Sequence, residues 1–175
     1  SGTGGEIQTL VLTPHDPAKV IHQTTDDPGN TSAFTRGAAW SDNQPPSADK
    51  MYVNTGRVLR TPASGSATFA GRTLFAGNGC IFALKGTGVP TVSDLVLFDN
   101  ASVSASEGNV AGNSLDGTAH VHPGGNGQYA ATVLIPPDGM GRTVRIFSTL
   151  TGSGDLLLQY SGTALSPSSV FTFYR

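Results

Sequence analysis

The chain has 175 residues, with 23 glycines, 11 prolines, one cysteine, only 13% charged side chains and a formal net charge of −2. Charge this sparse, with no Lys/Arg run, excludes the basic footprint that a phosphate backbone needs, so nucleic acid is not an expected partner. No apolar stretch approaches the roughly 20 residues of a spanning helix, so membrane insertion is not expected, and a single cysteine allows no intrachain disulfide.

This length fits one all-β domain over residues 1–175. Its first residues, Ser1-Gly2-Thr3-Gly4-Gly5, read as a processed end. Gly or Pro interrupts almost every ten-residue window and no long window carries a 3.6 period, so helices are not predicted. Strands are. Ile7 to Leu12 is the first candidate and Lys19 to His22 a short second, both within an N-terminal cap segment, residues 1–40. Met51 to Asn54 follows Pro45-Pro46, and Arg57 to Arg60 follows Gly56. Thr68-Phe69, Thr73 to Ala76, Cys80 to Lys85, Leu95 to Phe98 and the surroundings of Val103 come next. Residues 109–127, rich in Asn, Gly and His, read as an inserted loop ending in a short strand candidate, His120 to His122, and the Gly-rich run after it. Tyr129 to Ile135, Thr143 to Ser148, Asp155 to Tyr160 and Val170 to Tyr174 complete the series. The gaps hold Gly, Asn, Asp, Ser and Pro, each a turn former for its own reason.

Many apolar clusters lie only about 6 to 9 residues apart, closer than the 8 to 12 of a β-sandwich. That rhythm predicts a solenoid, a short right-handed parallel β-helix, with a β-sandwich or jelly roll as the alternative. A weak internal echo agrees. Gly71-Arg72-Thr73-Leu74 returns as Gly141-Arg142-Thr143-Val144, and the run from Gly79 to Leu84 returns from Gly154 to Gln159. The spacing amounts to about three coils of roughly 20 to 25 residues. Cys80, inside Gly-Cys-Ile-Phe-Ala-Leu, is expected to be a small buried core residue.

An ordered series of phrases carries a resemblance. Trp40-Ser41-Asp42, Pro46-Ser47-Ala48, Met51-Tyr52-Val53, Arg57-Val58-Leu59-Arg60-Thr61-Pro62 and Thr68-Phe69-Ala70-Gly71-Arg72-Thr73-Leu74 lead it. Ala83-Leu84-Lys85-Gly86, Leu95-Val96-Leu97 and Leu150-Thr151-Gly152-Ser153-Gly154-Asp155-Leu156 continue it. Over residues 34–162 the chain resembles the rungs of large secreted bacterial proteins of the Planctomycetes and Verrucomicrobia type, which carry autotransporter-associated β-strand repeats. The resemblance implies a right-handed parallel β-helix and no defined catalytic residues.

Candidate sites follow from residue chemistry. Trp40, the sole tryptophan, with Tyr52 could form a platform on which a pyranose stacks, or Trp40 could cap the apolar end of a solenoid. His120 and His122 are two apart, which places both imidazoles on one face of a strand where they could share a metal ion. Asp94 and Asp99 are five apart and fall on opposite faces, a poor acid/base dyad. No Gly-x-Ser-x-Gly elbow and no phosphate loop is present. Val170, Phe171, Phe173 and Tyr174 form an alternating final strand whose edge could seal the domain or pair with another chain. The expectation is a non-enzymatic structural module of a surface layer, fibre or adhesin, secreted or on the cell surface. It needs no cofactor, and its partners are other copies of itself or other surface proteins. The alternative is a carbohydrate-binding or polysaccharide-cleaving module with a polysaccharide partner.

Overall fold

The computed structural model describes residues 16–29, 31–105, 113–123, 131–135, 142–160 and 170–174. The predicted strand from Ile7 to Leu12 lies outside them. Among the described residues thirteen strands are present: β1 (Val20–His22), β2 (Met51–Thr55), β3 (Val58–Arg60), β4 (Thr73–Gly77), β5 (Ile81–Leu84), β6 (Thr91–Leu97) and β7 (Ala101–Ala105), then β8 (Asn113–Val121), β9 (Ala131–Ile135), β10 (Thr143–Ile146), β11 (Thr149–Gly152), β12 (Leu156–Tyr160) and β13 (Val170–Phe173). Among the described residues the only helical segments are single 3-10 turns at Pro17–Lys19 and Gly37–Ala39.

Every pairing between these described strands is parallel. One sheet runs β1-β2-β4-β6-β8-β10-β13, with β11 also on β8, and the second runs β12-β9-β7-β5-β3. From β2 to β10 successive strands alternate between the sheets, so the chain winds as a parallel β-solenoid of about four turns. The alternating pattern places one set of side chains inside on each coil. In the first sheet Tyr52 stacks on Leu74, Leu74 on Leu95, and Leu95 on Ala119. In the second, Leu59 stacks on Phe82, Phe82 on Val103, and Val103 on Val133. All eight are buried.

The corner from the first sheet to the second needs a left-handed residue on each early coil. Gly56, then Asn78 and Gly79, then Asp99 and Asn100, supply it. Gly and Asn take this conformation at the least cost. The corners stack as the strands do, with Gly56 N–H donating to Gly77 O and Gly79 N–H to Asp99 O.

One expectation is corrected. The stretch taken as an inserted loop, residues 109–127, contains the nine-residue strand β8. Its polar sequence hides a strand because Asn113 and Ser114 are buried, and because a bulge interrupts its pairing with β6. Gly117 sits at that bulge with φ +109°, its Cα so close to Val92 O that a Cβ would fall 1.9 Å from the oxygen. Gly in a strand often marks such a close approach.

Candidate functional site

The two ends of the solenoid differ. At the first end, the chain after β1 folds across the core. Gln23 and Trp40 form an antiparallel bridge, Ser41 N–H donates to His22 O, and Thr24 N–H donates to Ala39 O. Phe34, Trp40 and Tyr52 are fully buried beneath this segment. Trp40 meets Tyr52 edge-on at 4.8 Å, Tyr52 meets Phe69 at 5.3 Å and Phe34 meets Phe69 at 5.7 Å, the geometry the ring quadrupoles favour. The indole Nε1–H donates to Phe34 O at 3.1 Å, and the Tyr52 hydroxyl accepts from Ser47 N–H at 2.9 Å.

The sugar-platform expectation for Trp40 and Tyr52 is therefore corrected. Neither ring presents a face to solvent, because both are spent sealing the core.

At the other end nothing among the described residues covers the core rows. Leu150 continues the row of Tyr52, Leu74, Leu95 and Ala119 yet is 41% exposed. Leu158 continues the row of Leu59, Phe82, Val103 and Val133 and is 46% exposed. Phe173 continues Leu115 and Ile146 and is 41% exposed. These side chains occupy core positions of a coil that pairs with no further strand among the described residues. A cleft of about 470 Å³ opens beside Leu150 and Phe173, lined by Phe147, Ser148, Thr149, Leu150, Phe173 and Tyr174. Phe147 and Tyr174 stack at 4.3 Å. Of the final-strand candidates, Phe171 and Phe173 face the core rows through Val144 and Ile146, while Val170 and Tyr174 are exposed.

The histidine pair is placed differently from a shared metal site. His120 sits on the outer face of β8 and both ring nitrogens have protein partners: Nε2 lies 3.2 Å from Asp94 Oδ1 and Nδ1 2.6 Å from Thr151 Oγ1. Asp94 Oδ2 in turn accepts from Thr73 Oγ1. His122 lies just beyond the strand and is exposed. Among the described residues no group of three or more His, Cys, Asp or Glu side chains could hold a metal ion. The ladder Thr73–Asp94–His120–Thr151 crosses four coils on the outer face. Sequence alone does not reveal it, since it depends on coil register and on the β6 bulge, a device that re-aims side chains.

Cys80 is fully buried, and burial pushes its thiol up to about 12. A thiol held protonated is a poor nucleophile. Native protein is expected to resist a disulfide-exchange reagent and to titrate one thiol only after unfolding; rapid native labelling would contradict this placement.

The class these features define is a parallel β-solenoid whose first described coil is capped and whose last described coil leaves core-row side chains exposed. No family profile matches the chain, and neither the curated proteins nor the solved structures give a match. The solenoid that the sequence resemblance implies is present.

Proposed function

We propose that this domain is a non-enzymatic structural module of an extracellular surface assembly, of the kind built from autotransporter-associated β-strand repeats, and that it associates through its open end. The observation that carries this reading is the exposure of Leu150, Leu158 and Phe173 at the ends of otherwise buried core rows. Apolar surface of this kind is an association site, because burying each such side chain is worth about 1.5–3 kcal/mol. Among the described residues β12 and β13 each pair with one neighbouring strand only, and a strand edge of that kind can pair with a partner. Secretion to the cell surface is part of this reading because residues 34–162 resemble the rungs of secreted β-strand-repeat proteins.

Light scattering over a concentration series tests the reading. The wild-type chain is expected to associate, and Phe173→Asp to shift the equilibrium toward monomer by at least tenfold in dissociation constant. A wild-type chain that is monomeric at every concentration overturns the proposal.

A further inference from the structure

We infer that the core beneath the capping segment has a binding site for one ordered water molecule, between the side chains of Gln23 and Asn54, and that this water ties the segment to the first coil. The inference is independent of how the chain associates. It starts from two amide side chains that face an apolar interior.

Asn54 belongs to β2 and faces inward with Tyr52, two residues before it. It is 0% exposed, yet among the described residues neither its Oδ1 nor its Nδ2 has a hydrogen-bond partner. Gln23 directly follows β1 and is 6% exposed. Its Nε2 donates to Thr25 O and to Val58 O, both at 2.7 Å, so both amide hydrogens are used and the orientation of the amide is fixed. Its Oε1 is buried without a donor. Leaving such groups unmet is costly, and protein interiors meet them with protein groups or with ordered water.

Register brings the two side chains together. β1 pairs in parallel with β2, with Ile21 against Tyr52 and His22 against Val53. Gln23 N–H donates to Val53 O at 2.9 Å, which carries the same register one residue further and sets Gln23 beside Asn54. On the other side of Asn54 the row continues with Ala76, then Leu97, then Val121. The smallest side chain of the row thus lies next to the unmet amide, where a branched one would take the space a water needs.

Chemistry selects water over an ion. The unmet set is two acceptors, Gln23 Oε1 and Asn54 Oδ1, and one donor group, Asn54 Nδ2. A water molecule donates twice while it accepts, so one molecule meets all three, the number of bonds usual for a buried water. A cation would suit the two oxygens and leave the Asn54 amino group facing positive charge. An anion would suit the amino group and face two carbonyl oxygens. Gln23 also bridges to Trp40 in the segment that crosses the core. The water therefore adds a side-chain link between that segment and β2.

Nuclear magnetic resonance on the full chain tests this. The expected result is a cross-peak between water and the Asn54 side-chain amide protons, of opposite sign in NOE and ROE spectra, which marks a bound molecule rather than proton exchange. Oxygen-17 relaxation dispersion then counts long-lived waters. Asn54→Leu, shown to be folded by circular dichroism, is expected to hold one fewer than wild type. An Asn54 amide without that cross-peak overturns the inference, as does an unchanged count in the folded variant. If Asn54→Leu does not fold, the wild-type cross-peak decides alone. Movement of the Asn54 side-chain resonances when potassium replaces sodium at constant ionic strength would place a cation there instead and overturn it too.

Discussion

Trp40→Ala is expected to cost about 3–5 kcal/mol of stability, the range for removing a large buried aromatic. The indole is fully buried, contacts Tyr52 at 4.8 Å and Phe69 at 6.2 Å, and donates to Phe34 O. Its loss would leave a cavity at the one point where the core is closed by side chains from a crossing segment rather than by another coil. Chemical denaturation followed by circular dichroism measures the effect, since the variant has no tryptophan to report. Trp40→Phe keeps part of the volume but leaves the buried Phe34 carbonyl without its donor, a cost of about 1–3 kcal/mol. A change below about 1 kcal/mol for Trp40→Ala would show that the sealed end does not depend on this packing.

Asp27→Asn is expected to cost about 3–5 kcal/mol, because it removes the counter-charge from two nearly buried cations. Arg60 Nε lies 3.1 Å and Lys85 Nζ 3.8 Å from the Asp27 carboxylate, with side-chain exposures of 5% and 14%. Burial by itself would raise the Asp27 pKa. The Ser32 N–H and the charges of Arg60 and Lys85 outweigh it and hold the carboxyl below the usual aspartate range. A depressed folded-state pKa contributes stability that is present above the unfolded value of about 3.9 and is lost as pH falls through the folded value. Wild-type stability should therefore decline as pH falls below about 4, and Asp27→Asn should be both less stable at neutral pH and flatter across that window. Asp42, also lowered against its burial by the Lys50 and Gln44 hydrogen bonds, adds to the same acid dependence. Parallel pH profiles for wild type and variant would show that the Asp27 cluster contributes nothing to it.

These effects fall at the sealed end, which illustrates how far the residues could be read alone. The positions of the strands were legible because apolar residues alternate between Gly, Asn and Pro. Met51 to Asn54, Thr73 to Ala76 and Val170 to Tyr174 all lie in or against strands of the solenoid. Cys80 was legible as core because its neighbours are apolar on both sides. Strand β11 was not predicted, since Thr149–Gly152 is short, polar and exposed. Most of β8, from Asn113 to Ala119, was hidden by its buried Asn113 and Ser114 and by the bulge beside Gly117.

Register is where one-dimensional reading failed most instructively. The repeat echo aligns Phe82 with Leu157, but the coil stacking places Phe82 in the row of Leu158. A slip of one residue exchanges the inner and outer faces of a strand. That slip turns Leu158, the exposed end of a core row, into an outer-face residue, and so conceals the open end.

By itself, then, the sequence determined the all-β class, the coil rhythm and the supply of turn residues, because these depend on local periodicity and backbone preference. The tertiary structure alone decided that Trp40 and Tyr52 seal the core rather than face solvent, that Asp94 meets His120 across a bulge, and that Leu150, Leu158 and Phe173 lie exposed. Burial in a solenoid is a property of the neighbouring coil rather than of the residue. The same leucine is core when a coil lies above it and exposed when none among the described residues does.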